Sequence, residues 1–180
     1  LIAVGIGLAS PLAFIAALLH IMNHEVMQAC LFLVACHLGM TKGSATIDDF
    51  SGAGRKMPIT MIAFALGAIS MIGIPPTAGF FSKWYLAQAG IAEGQWVIVV
   101  IILASSLLTA VYMLRLLERA FFRSPQEDRS SAGQLGTPSE RGNTALVEIA
   151  IPGLILGLGT VALGVFNAAI VTQVLERGVR

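Results

Sequence analysis

Long apolar runs broken by short polar stretches divide the chain into a series of helices. Residues 1–9 are apolar and stop at Ser10-Pro11, as the tail of a spanning helix would. Residues 12–39 read as a second helix that carries His20, His24 and Gln28 in its interior. Residues 40–57, with Lys42, Asp48, Asp49, Arg55 and Lys56, form a polar loop. Pro58 suits the first turn of a third helix. That helix runs apolar to Ile74, breaks at Pro75-Pro76, resumes near Gly79 and ends near Ile91. A fourth helix is expected over about 96–122 and a fifth over roughly 145–174, its end marked by Gln173 and the Glu176-Arg177 pair. Between them, residues 124–143 are rich in Ser, Gly and Pro and read as a flexible extramembrane loop.

Several of these runs exceed the roughly 18 residues that mark a spanning helix. Composition agrees: 56% of residues are hydrophobic and 12% charged, about half the charged fraction of a soluble domain. The expected fold is therefore all-α, a polytopic transmembrane helix bundle with a Pro-broken helix. A net charge of +1 offers no basic surface for nucleic acid. Cys30 and Cys36 share one helix, about 9 Å apart along its axis, too far for a disulfide. The opening at Leu1, inside an apolar run and without a charged leader, is expected of a cut through a longer protein. Lys42, Arg55 and Lys56 in loop 40–57, and Arg115, Arg119, Arg123, Arg129 and Arg141 farther on, place loops 40–57 and 124–143 on the cytoplasmic side. Arg177 and Arg180 then fall outside, a mild violation of that rule.

The break is the most informative feature. Pro75 and Pro76 each lack a backbone N–H, and Gly79 permits departure from helical geometry. In a bilayer, freed carbonyls and an ionisable side chain are tolerated only where protein or a water-filled cavity surrounds them. Ion pathways are built that way. Lys83 follows the break, about 12 Å from the helix end near Ile91. It reads as a lysine that takes up and releases a proton; the alternative is an ammonium snorkelling toward the headgroups.

His20, His24 and Gln28 recur every four residues and so form one polar stripe some 12 Å long. Histidine changes charge near neutral pH and suits a proton relay. The plainer account has each His hydrogen-bonding a neighbouring helix. His24-Glu25-x-x-Gln28 also lies one residue from the HExxH zinc-protease signature, with Gln28 where the second ligand would stand. Ser105, Thr109 and Tyr112 form a stripe on helix four that reads as helix–helix glue. Glu25 needs a partner that the sequence does not name. Gly153-x-x-x-Gly157 fits close helix packing.

At these residues the chain resembles a known family. The run His20-Ile-Met-Asn-His24-Glu-Val-Met-Gln28-Ala-Cys-Leu-Phe-Leu is similar to that family's H-x-x-x-H-A-x-x-K-A-x-L-F-L helix. Gly73-Ile-Pro-Pro-Thr-Ala-Gly-Phe-Phe-Ser-Lys83-Trp resembles its G-x-P-P-x-x-G-F-x-S-K segment, and Ser105 through Arg115 also fits. The family is the antiporter-like proton-translocating subunits shared by respiratory complex I and the multisubunit (Mrp-type) cation/proton antiporters. The wording is closest to the D component of the antiporter.

The resemblance implies a C-terminal fragment of a larger antiporter-like subunit of about fourteen helices. Residues 1–123 would be the proton-conducting region, 124–143 a loop and 144–180 a further transmembrane helix. Lys83, fed by His20, His24 and waters held by Gln28, would carry protons, in a monovalent cation (Na+)/proton antiporter or in the membrane arm of NADH:quinone oxidoreductase. Partners would be the other membrane subunits, the lipid bilayer, protons and Na+, in a bacterial inner membrane. No catalytic residue, metal or cofactor site is expected in the chain itself; in complex I the redox chemistry would belong to partner subunits. Gln28 departs from the family lysine and cannot hold a proton at neutral pH. That departure leaves open a non-conducting membrane scaffold.

Overall fold

The computed structural model describes residues 1–42, 46–123, 149–167 and 173, and shows helices throughout with no strand among them. A short α1 (Ile2–Gly7) leads into α2 (Pro11–Lys42), the longest element. A 3-10 turn (Ile47–Phe50) and α3 (Ala53–Lys56) follow. Then come α4 (Pro58–Ile72), α5 (Ala78–Ala92), α6 (Trp96–Phe122) and α7 (Ile151–Val165). The loop expected at 124–143 lies outside the described residues, as does the end expected for the last helix near 174.

Helix α4 starts as its sequence dictates, with Pro58 in the first turn, where a missing N–H costs nothing. It ends at Ile72, with Gly73 in the left-handed region (φ 92°), a conformation that glycine adopts without a Cβ clash. The chain leaves helical geometry from Gly73 to Thr77, and the Pro75–Pro76 peptide is cis. Gly79 is not within the break itself but in the first turn of α5. A Cβ there would collide with the Ser70 carbonyl, so this glycine lets the two half-helices approach backbone to backbone.

Two continuous helices hold the halves in line. α2 runs antiparallel to both: His20 meets Ser82 and Asn23 meets the Ala78 carbonyl on α5, while Cys30 meets the Ala63 carbonyl and His37 meets Thr60 on α4. α7 runs parallel to them on the other side. Gly153 packs near Ala63, Gly157 near Leu66, and Gly164 against the Pro76 carbonyl. Asn167 reaches the Tyr85 hydroxyl on α5 at 3.5 Å. The Gly153–Gly157 pair thus lies on a buried stripe that continues through Thr160 to Gly164.

The segment 46–57 is more ordered than a plain polar loop. Gly52 (φ 69°) donates its N–H to the Arg119 carbonyl at 3.2 Å, and α3 packs on the C-terminal end of α6, with Gly54 against Ala120 and Phe121.

The interior is largely apolar but holds polar side chains, and the outer surface is apolar too. His20, Asn23, His37, Thr60, Ser70 and Ser82 are buried, while Met22, Phe32, Leu107 and Leu108 are exposed. Exposed apolar surface on this scale belongs against lipid or other membrane helices. Among the described residues, α2 (Pro11–Thr41) and α6 are long and apolar enough to cross a membrane. α4 and α5 are each too short to cross alone; they lie end to end as one interrupted unit braced by α2 and α7.

Candidate functional site

The C-terminal end of α4 would leave its last carbonyls without intrahelical partners. Ile69 O accepts from the N–H groups of Gly73 and Ile74. Met71 O and Ile72 O accept from Lys83 Nζ, at 2.9 and 3.0 Å. Lys83 sits in the second turn of α5 and reaches back over Gly73, where a Cβ would lie 3.4 Å from its Nζ. A cation at the carbonyl end of a helix is favoured by the aligned peptide dipoles. The break therefore positions Lys83, and Lys83 satisfies the break.

His20 approaches from α2. Its Nδ1 lies 2.9 Å from Ser82 Oγ, the residue before Lys83. His24, one turn on, has its ring centroid 5.7 Å from that of His20. Asn23 between them donates to the Ala78 carbonyl at 3.1 Å and fixes the start of α5. Ser70 Oγ is buried near the close approach of Gly79 and has no hydrogen-bond partner among the described residues.

His20, His24 and Lys83 line one cavity of about 400 Å³, together with Met27, Met71 and the first residues of α1. Ser105, Thr109 and Tyr112 of α6 complete its wall. These three, expected as helix–helix glue, face the cavity, and the Thr109 hydroxyl donates within its own helix to the Ser105 carbonyl at 2.9 Å. Gln28 is half-buried one turn past His24 and is not among the lining residues. Asn23 and Ser70 were invisible as site residues in the sequence, because small polar residues in apolar helices carry no spacing signal of their own; Ser82 stood in the matched motif but without a role. Among the described residues no three His, Cys, Asp or Glu side chains converge as a metal site would require.

The NADH:quinone oxidoreductase/Mrp antiporter transmembrane family matches residues 1–109, more than half of the chain. The chain belongs to this family. As a member it is similar to the N component of the NADH-quinone oxidoreductase of Desulforudis audaxviator, at 40% identity over 177 residues, covering 97% of this chain and 35% of the relative. It is also similar to the D component of the Na(+)/H(+) antiporter of Bacillus subtilis, at 32% identity over 123 residues, covering 68% of this chain and 25% of the relative. Its fold resembles a chain of the Mrp complex from Dietzia sp., with a TM-score of 0.77 at 23% identity, over 94% of this chain and 38% of that one. Respiratory complex I from Thermus thermophilus contains a similar fold, with a TM-score of 0.55 at 23% identity over 89% of this chain and 36% of that one. The chain thus spans about a third of the length of such family members, and it is an integral membrane protein.

Proposed function

We propose that this chain forms a proton-conducting half of an antiporter-like subunit, with Lys83 as the group that exchanges the proton. The observation that carries the reading is the shared cavity: Lys83 is bound to the carbonyl end of the broken helix and faces the same space as His20 and His24.

The donor count explains why this position suits exchange. A protonated lysine has three N–H donors. Met71 O and Ile72 O take two of them, leaving the third for the cavity. On losing that proton the neutral amine keeps both carbonyl bonds and offers its lone pair in the same direction. The proton can leave and return without breaking the anchor. A cavity of about 400 Å³ has room for on the order of ten waters at about 30 Å³ each. Water would connect His24 and His20 to Lys83, with Ser105, Thr109 and Tyr112 supplying partners along the far wall. Gln28 would hold water one turn beyond His24, where the stripe extends past the cavity. Conduction belongs to residues 1–123 in this reading, with α7 bracing the broken helix. Pro75, Pro76 and Gly79 create and close the gap that Lys83 spans.

The test is proton flux in vesicles holding the assembled complex. Lys83→Met is expected to abolish flux while assembly persists; near-normal flux would return Lys83 to a snorkelling role. Absence of flux in the unaltered complex would favour a scaffold.

The motif wording points to a Na+/proton antiporter, in a bacterial cell membrane with other antiporter subunits. The 40% identity over nearly the whole chain to the N component of an NADH-quinone oxidoreductase favours a second setting, the membrane arm of such an enzyme. Flux driven by an imposed Na+ gradient would identify the first; flux driven by quinone reduction would identify the second.

A further inference from the structure

One face of α2 points away from the cavity, and no described element covers it. Phe14, Leu18, Met22, Glu25, Phe32 and Met40 recur along it at helical spacing, and all are exposed. Five of these six suit lipid. Glu25 does not. It lies fourteen residues from Pro11 and seventeen from Lys42, about 21 and 26 Å from the two helix ends. That is near the centre of a helix longer than the hydrocarbon core, which is about 30 Å thick. Lysine and arginine escape such positions by snorkelling on long stems; a carboxylate on two methylenes cannot. Among the described residues Glu25 has no hydrogen bond or ion pair.

A charge at this depth is costly unless a partner meets it. Lipid offers none at the bilayer centre. A second copy docked through the same face would bring Glu25 toward Glu25, and like charges repel. The complementary occupant is a helix that carries a cation.

We propose that this face of α2 docks a membrane-spanning helix of another subunit, which places a lysine, arginine or histidine against Glu25 at mid-membrane. Charge complementarity calls for a cation-bearing helix, and the flanking residues fit one. Met22 and Phe32 are about two-thirds exposed on either side of the carboxylate. Methionine adapts to an irregular partner surface, and the apolar rim keeps water from the pair, which strengthens its attraction. Solved structures with this fold include chains of multisubunit membrane complexes, a setting in which such a helix is at hand. The inference is independent of the proton route, since Glu25 and its neighbours on this stripe are not among the residues lining the cavity.

The test is photo-cross-linking in the assembled complex in its native membrane, with a benzophenone amino acid in place of Met22. The expected adduct joins this chain to a spanning segment of another protein of the complex, within one turn of a Lys, Arg or His. Glu25→Leu in that background is expected to lower the adduct yield about threefold or more, the scale of a polar contact between membrane helices. Glu25→Gln, which keeps a hydrogen-bonding group and the shape of the side chain, is expected to retain an intermediate yield, and this guards against loss through misfolding. Adducts only to lipid, or only within this chain's own polypeptide, would overturn the proposal. So would an adduct to another protein of the complex whose yield is unchanged in Glu25→Leu.

Discussion

Lys83 on α5 donates to the carbonyl of Ile72, the last residue of α4, at 3.0 Å across the break. Eleven residues separate the two in sequence, yet the lysine closes the helix that ended before it. The relationship links the three costs of this segment, namely the proline break, the freed carbonyls and the intramembrane charge, so that each offsets another.

His20 is held in register with Lys83 through Ser82. Ser82→Ala removes the hydroxyl 2.9 Å from His20 Nδ1 while leaving the Lys83 contacts in place. A net hydrogen bond of about 1 kcal/mol corresponds to roughly a fivefold change in the population of the oriented ring. Proton flux through the reconstituted complex is expected to fall by about that factor, with assembly unchanged. Flux equal to that of the unaltered protein would remove His20 from the route.

The break depends on two close backbone approaches. Gly79→Val and Gly164→Val would each push a side chain into a carbonyl, of Ser70 and Pro76 respectively. The Ser70 carbonyl belongs to α4 and the Pro76 carbonyl to the turn that joins the half-helices, so each variant is expected to lose about 1–3 kcal/mol or more, the scale of overpacking. Gly159→Val is the control, since a Cβ there meets nothing within 4 Å. Thermal stability in detergent should fall for the first two and hold for the third.

Gln28 sits at the edge of the proposed route. If it holds water past His24, Gln28→Leu is expected to lower flux severalfold, and Gln28→Lys is expected to retain or raise it, since a third titratable group would shorten the proton's steps. Flux unchanged in both variants, measured side by side in vesicles, would place Gln28 outside the path, consistent with its absence from the cavity wall.

The parts of this architecture that were legible in the sequence are those set by local chemistry. Pro58 marks the start of α4 and Pro75-Pro76 its end because a missing N–H acts where it stands. Trp96–Phe122 was legible because its first nineteen residues, through Leu114, carry no charge and leave little choice. What escaped depends on how helices are rotated against each other. The Ser105, Thr109 and Tyr112 stripe was visible, but whether it met a helix or a cavity depends on the turn of α6 about its axis. Ser82 gained meaning only from His20, 62 residues away. The segment around Gly52 and Gly54 read as loop because its anchor, the Arg119 carbonyl, lies at the far end of α6.

The central claim is that Lys83 exchanges a proton, and Lys83→Arg tests it most directly. Arginine keeps the positive charge and enough donors to hold Met71 O and Ile72 O, but it does not release a proton in proteins. In vesicles containing the assembled complex, this variant is expected to assemble normally and to lose proton flux as fully as Lys83→Met does. Substantial flux through Lys83→Arg would contradict the account, because it would show that the site needs a fixed charge at the break rather than a group that gives its proton up.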